Sequence, residues 1–467
     1  MKYKLKDVRS PIKKGQHSRK IITSFNLNKK IDEGYDDDDV GSTADKESEI
    51  SSIAEESAEQ KRVRIAKEYL RTMQNLEDSN SVDDSSETET KTAARLKRNR
   101  LESMGKYYRI IADNVSNILG LGNYTIQTMS GHNGPVTCVV LSNCGSICFS
   151  ASKDNSVIKW ELSTNTKTIL RRSWSRKSDP VMQSCESEVL ALAISSDDRF
   201  LVSGGRDKII RVFDGKANYA QVHELKGHKD SVTSLCFQRG TYSLFSGSAD
   251  RSLKHWDLAE MGYIETLFGH QDCVQALDCL EKSRPISSGA DRSVRLWKVA
   301  EESHLVFRGH KAAADAVAQL TESVFASAGQ DGTLHLWKEH QKVPVLSVPA
   351  AHGWQEEGAT AAGPLQNPRW LSSLRAVPQS DLLASGSSDG MLRLWKASAE
   401  AGGSELRQVA QLPVPGFVNG IDMSVSLSKT TIAVATGSEH RLGRWWHVKG
   451  NRNKVVVFTL KNSLEEL

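Results

Sequence analysis

Seven times along the chain an aromatic residue closes a short apolar run, six residues after a turn position. Trp160, Phe213, Trp256, Trp297, Trp337, Trp395 and Trp446 follow Asp154, Asp207, Asp250, Asp291, Asp331, Asp389 and, out of pattern, His440. The successive steps are 53, 43, 41, 40, 58 and 51 residues. A recurrence at this interval marks stacked supersecondary units, none of which can bury its apolar face alone. A second register runs beside the first: Gly-His and Ala-His pairs place His132, His228, His270, His310 and His352 at gaps of 96, 42, 40 and 42. The gap of 96 spans two repeats, and the stretch Glu188 to Phe213 is a repeat without its histidine.

A repeat of roughly 40 to 45 residues with a Gly-His entry and a Trp exit corresponds to one four-stranded blade of a WD40 propeller. The predicted fold is therefore all-β, a seven-bladed WD40 β-propeller over residues 121–462. In each blade the entry His and the turn Asp are placed to hydrogen-bond, with a strand Ser and the Trp indole extending the network, and a buried network of this kind must be satisfied throughout. His132, Asp154, Trp160, His228, Asp250, Trp256, His270, Asp291, Trp297, His310, Asp331, Trp337, Asp389, Trp395 and Trp446 are accordingly read as structural. The alternative, histidines and aspartates as metal or acid/base groups, is the weaker reading.

Charge is distributed unevenly. Residues 1–30 hold ten Lys or Arg against one Asp, and residues 31–60 hold twelve Asp or Glu against one Lys. Such blocks bury too little apolar surface to offset chain entropy, so residues 1–57 are predicted to be a disordered tail, basic and then acidic. Residues 58–120 are predicted to be a helical arm. In AEQKRVRIAKEYLRTMQNLE, the residues Ala66, Tyr69, Leu70, Met73 and Leu76 recur at helical steps between Arg62, Arg64 and other cations. Arg62, Arg64, Tyr69, Leu70 and Met73 are the candidate docking residues, against the chain's own propeller or against a partner. The basic run LKRNR and the basic N-terminus favour a nuclear address.

The seven cysteines show no C-x-x-C or zinc-knuckle spacing and mostly sit in apolar strand contexts, so no metal site is expected. No cofactor is expected either. Without an apolar signal core or an eighteen-residue apolar run, the chain reads as neither secreted nor membrane-bound.

Nothing points to an enzyme. There is no phosphate-binding G-x-x-x-x-G-K, and Gly386-Ser387-Ser388-Asp389-Gly390 spells a nucleophile elbow only by letter, since a strand follows it where an elbow has a helix. No small-molecule substrate is implied. The W-D-x-R ending common in cullin ubiquitin-ligase receptors is incomplete, because Trp256-Asp257 is followed by Leu258 and Ala259. That receptor and a chromatin-associated interaction propeller are the alternative functions.

The loops and turns at one rim carry Lys153, Arg206, Lys208, Lys229, Arg251, Arg292 and Lys311. A positive ring suits a phosphate backbone, although any such turn accepts a solvated cation. Two departures from the repeat stand out. Thirty-seven residues separate His352 from Asp389 where other blades need 21 or 22, so GWQEEGATAAGPLQNPRW, with Arg369 and Trp370, is an insertion. In GSEHRLGRWWHV of blade seven, Trp446 is read as the structural aromatic, Trp445 as facing the opposite side, and Arg441 and Arg444 as groups reaching a phosphate or a partner's carboxylate.

At EQKRVRIAKEYLRTMQ, SASKDNSVIKW, ETLFGHQD, DRSVRLWKV, ESHLVFRGH, the AHG and NPRW ends of the insertion, and GSEHRLGRWW, the chain resembles the WD40 family specific to the U3 small nucleolar ribonucleoprotein. The resemblance runs from about residue 58 to the C-terminus. It implies a nucleolar, non-catalytic scaffold that binds the box B/C element of U3 snoRNA together with a small kink-turn-binding protein. Other small-subunit processome proteins are the further partners it implies, with pre-18S rRNA processing as the outcome. The missing blade-two histidine and the insertion's GATAAG centre depart from the family pattern.

Overall fold

The computed structural model describes residues 107–171, 187–356, 366–400, 403–426, 429–444, 447–448 and 451–461, with isolated helical positions at 64, 96 and 100. Seven four-stranded antiparallel sheets form the blades. Blade one runs from its innermost strand, Val136–Leu141, through Ile147–Ser152 and Val157–Glu161 to Thr166–Arg171. The next five blades repeat that order, starting from Val189–Ile194, Val232–Phe237, Val274–Asp278, Ala314–Gln319 and Leu371–Ala376.

Blade seven is assembled differently. Its strands, from the inside, are Phe417–Val425, Lys429–Gly437, Lys454–Lys461 and then Tyr124–Met129 from the start of the propeller. Two segments far apart in sequence thus meet in this blade, Lys454–Lys461 as its third strand and Tyr124–Met129 as its fourth. Tyr124 to Met129 pair in register with Leu460 to Val455.

Why the sequence folds this way follows from burial. The first two strands of each blade are flanked by other sheets on both faces, so they read as near-continuous apolar or small runs such as VLALAI and FLVSGG rather than alternating ones. Among the described residues, seven apolar clusters form, one between each pair of neighbouring blades. Contacts there are close. A Cβ built on Gly386 would lie 2.3 Å from Val418 of the next blade, so nothing larger than glycine fits. Each innermost strand also carries a bulge near its start, at the second residue in blades one to six, as between Val274 and Ala276 or Ala314 and Ala316, and at the third, Asn419, in blade seven.

A His–Asp–Ser–Trp hydrogen-bond network joins these residues directly in blades three to six. In blade three His228 lies 2.9 Å from Asp250 and 2.7 Å from Ser246, whose hydroxyl accepts from the Trp256 indole at 2.8 Å. His270, His310 and His352 pair with Asp291, Asp331 and Asp389 at 3.0, 3.3 and 2.8 Å. In blade one Ser156 stands between His132 and Asp154. Blade two keeps Asp207, which pairs with Arg211 instead, and Phe213 leaves Ser203 without an indole partner.

The assignment of Trp446 does not hold. Counted from the bulge, the position equivalent to Trp395 is Phe458 and that equivalent to Ser385 is Val434, both fully buried in one cluster. Replacing both hydrogen-bonding partners by apolar groups leaves nothing unsatisfied, which is why the blade tolerates it. Sixteen residues, 438–453, separate the second strand of this blade from the third. Trp445 and Trp446 themselves lie outside the described residues.

Of the arm, the helix Ala112–Gly120 docks on the propeller. Asp381 of blade six accepts from the backbone N–H groups of Ile111 and Ala112 at 2.7 and 3.1 Å, and Ala112 and Val115 enter the core between blades six and seven. Arg64 is helical and exposed, whereas Arg62, Tyr69, Leu70 and Met73 lie outside the described residues.

Candidate functional site

The innermost strands of all seven blades surround a central channel of about 950 Å³. At the rim bearing the aspartate turns, the two irregular segments meet over its mouth. In the blade-six insertion, Trp354–Glu356 pairs with Gln366–Pro368 as a two-stranded ribbon joined to no blade. The ribbon's root is fixed: Arg369 donates its backbone N–H to Gly353 at 3.0 Å, and its Nε donates to the carbonyl of Trp354 at 3.3 Å. The Trp370 indole donates to Asp315 of blade five, and its ring lies 4.6 Å from the ring of His440 in the blade-seven loop.

That loop is tied on every side. Arg441 turns inward, and its Nη2 donates to the carbonyl of Gln275 at 2.8 Å and lies 3.5 Å from that of Asp315. Lys153 of blade one donates to the Gly443 carbonyl at 3.0 Å and lies 3.5 Å from Glu439. Asn453 donates to the Asn133 carbonyl at 3.3 Å.

Two expected ligand groups are therefore committed to the protein. Arg441 is not a surface cation, and Lys153, with a side chain only 4 % exposed, is a strut rather than part of a positive rim. Burial lowers the pKa of both. Burial also pushes the Asp315 carboxyl up to about 6, against the opposing pull of Arg441 and of the hydrogen bonds from Trp370 and Gln330. Burial takes His440 down to about 3, with Arg441 and Lys153 acting in the same direction, so it is neutral against Trp370.

What remains outward is basic. Residues 438–453 hold four Lys or Arg against the single acid Glu439, and with Arg441 turned inward the exposed cations among the described residues are Arg444 and Arg452. The Arg444 side chain is 78 % exposed and only loosely engaged, 3.8 Å from Glu439, and Arg452 is also exposed. Arg452 was missed in sequence because it lies past the Trp pair, in KGNRNK, where no landmark of the repeat falls. Trp354, half-exposed on the ribbon, was passed over for want of any periodicity around it.

Around the rest of the rim, Lys208, Arg251 and Arg292 follow the turn aspartates with φ of 67, 68 and 63°, where blades five and six place Gly332 and Gly390. A left-handed conformation costs a non-glycine residue roughly 1–2 kcal/mol, so blades two to four carry cations where glycine would be the easier choice. Arg251 and Arg292 are exposed. Lys208 is exposed too but donates to the Lys229 carbonyl at 2.7 Å, and Arg206 lies 3.5 Å from Glu188.

One group of residues has the spacing of metal ligands: His310, Asp331 and His335 present ligand atoms within 4.8 Å of one another. Thr333 stands among them, with its hydroxyl 2.7 Å from Asp331 and 3.1 Å from His335, and Ser327 and Ser347 engage the other ring nitrogens. Hydrogen bonds account for every donor and acceptor, so the cluster reads as an extended structural network.

The WD domain, G-beta repeat, matches residues 123–161, 179–214, 219–257, 262–298, 301–338 and 365–396. U3 small nucleolar RNA-interacting protein 2 of Homo sapiens is 35% identical over 87% of this chain and 83% of its own length. Ribosomal RNA-processing protein 9 of Saccharomyces cerevisiae is 23% identical over 91% of this chain and 93% of its own. A crystal structure of RRP9 WD40 repeats superimposes with a TM-score of 0.65, at 38% identity over 72% of this chain and 97% of that one.

Proposed function

The chain belongs to the family of U3 small nucleolar RNA-interacting WD40 proteins, and from that membership we propose that it is a non-catalytic scaffold of the U3 small nucleolar ribonucleoprotein in ribosomal RNA processing. In this reading it binds the box B/C element of U3 snoRNA alongside a small kink-turn-binding protein, in the nucleolus, within the small-subunit processome. The observation that carries the reading is the blade-seven loop, a net-positive segment fixed over the channel mouth with Arg444 and Arg452 directed to solvent. Phosphate contacts of this kind supply affinity and register, while a rigid scaffold presents them in a constant geometry. The exposed cations Arg206, Lys208, Arg251 and Arg292, on blades two to four, extend the same rim for the flanking backbone. Names of relatives that concern U3 snoRNA and ribosomal RNA processing support the assignment.

The test is a gel shift of the full chain with U3 snoRNA and the kink-turn-binding protein. Arg444→Glu combined with Arg452→Glu is expected to weaken binding at least tenfold, and Lys13→Glu with Lys14→Glu far less. Removing phosphate contacts should also flatten the salt dependence, by about 0.7 in log–log slope for each contact to a single strand. Equal effects of the two pairs would remove the loop from the interface. In cells, crosslinking followed by RNA sequencing should enrich one small nucleolar RNA, and diffuse recovery would count against the whole reading.

A further inference from the structure

We infer that Arg441 is a positioning residue for this interface, a latch that threads the blade-seven loop into the channel and, through Asp315 and Trp370, locks it to the blade-six ribbon as one surface. The inference rests on the loop being the RNA-contacting element. Its geometry stands on its own.

Gln275 and Asp315 are the bulge residues of the innermost strands of blades four and five, where the register steps from Val274 to Ala276 and from Ala314 to Ala316. A bulge residue drops out of the ladder, so its carbonyl is left for another donor. Arg441 supplies that donor across the channel from blade seven, at 2.8 Å to Gln275. Asp315 then turns its carboxylate to the Trp370 indole, which packs against His440, the residue before Arg441. The contacts close a ring of four residues drawn from blades five and six and the loop, with Asp315 joined to Arg441 through its backbone carbonyl and to Trp370 through its carboxylate. His440 in turn receives the Leu442 N–H at 3.3 Å, shaping the bend that sends Gly443 to Lys153 and Arg444 outward. No residue of the latch need touch RNA for its loss to be felt.

A contact role and a latch role predict opposite signs at Asp315. If proximity to RNA governed the effect, deleting this carboxylate would leave phosphate binding unchanged or tighten it. As a latch, Asp315→Ala frees Trp370 and the loop, and is expected to weaken binding of the full chain to in vitro transcribed U3 snoRNA at least tenfold, with the cooperative melt retained. Arg441→Met should do the same, and Arg444→Glu added to it should cost little more, because neighbours acting as a unit are not additive. Should Asp315→Ala fail to fold, Trp370→Phe, which removes only the indole N–H, carries the comparison with an expected loss of at least threefold. Unchanged or tighter binding by Asp315→Ala or Trp370→Phe, or full additivity of Arg441→Met with Arg444→Glu, would overturn the latch. Full binding by Arg444→Glu with Arg452→Glu would instead overturn the RNA reading of the loop, which keeps the two failures distinct.

Discussion

Two populations of buried aspartate sit a few residues apart at this rim, and they respond to pH in opposite directions. Burial works against Asp154, Asp250, Asp291 and Asp331 as charged groups, yet hydrogen bonds from histidine, from serine or threonine, and from backbone N–H hold each well below the usual carboxylate range. Their contribution to stability is present above pH 4 and fades as acid protonates them. Asp315 is the reverse case: with a folded pKa of about 6 against 3.8, the folded state binds its proton more tightly than the unfolded one. The cost of keeping it charged therefore grows as pH rises from about 4 through 6, to roughly 3 kcal/mol at full ionisation. Asp315→Asn is expected to raise the melting temperature at pH 8 and to lose that advantage by pH 4, as calorimetry across that range would show; a gain independent of pH would contradict the assignment. The His, Asp, Ser and Trp of the buried network were legible in sequence because one interaction set recurs blade after blade. Arg441 was not, since the letters HRLGRWW carry no sign of which arginine turns inward.

At the scale of elements, the informative case is the helix Ala112–Gly120, whose first turn has no side-chain cap of its own. Asp381, 270 residues away, serves instead, holding the N–H groups of Ile111 and Ala112, while Asp113 meets Lys396 at 2.5 Å. Loss of a capping side chain typically costs about 1 kcal/mol. Asp381→Ala should thus lower global stability by about that much while raising amide exchange across residues 111–120 far more; exchange unchanged there would mean that the apolar contacts of Ala112 and Val115 alone hold the helix. Helical character before the propeller was readable from the sequence, but its docking was not, because the cap lies in another blade. Blade seven shows the converse failure. Trp446 sat at a spacing of 51 residues from Trp395, close enough to pass for the next repeat, while the true second and third strands lacked the Ser and the Trp that mark most of the other blades. Where Val434 and Phe458 replace polar partners, the pattern that identifies a blade disappears although the blade remains.

Closure of the whole ring depends on joining its two ends, since a seven-bladed array left open would expose an unpaired strand edge and one apolar blade face. Here the join is the antiparallel pairing of Tyr124–Met129 with Lys454–Lys461, backed by Met129 in the core between blades seven and one. The helix adds Ile111, Ala112 and Val115 to the core between blades six and seven. Burial of an aliphatic side chain is worth about 1.5–3 kcal/mol, so these residues together supply several kcal/mol, a large part of the roughly 5–15 kcal/mol that separates folded from unfolded domains. Truncation should therefore be tolerated up to a definite point. A chain starting at residue 107 keeps every one of these contacts and is expected to melt in a single transition within a few degrees of the full chain. A chain starting at residue 131 loses the outer strand and the helix, bares the backbone edge of Lys454–Lys461, and should melt at least 10 °C lower or aggregate before melting. Thermal unfolding of the two truncations side by side decides the matter: equal melting temperatures would show that the ring holds without its N-terminal strand, and failure of the longer one would place an essential contact before residue 107.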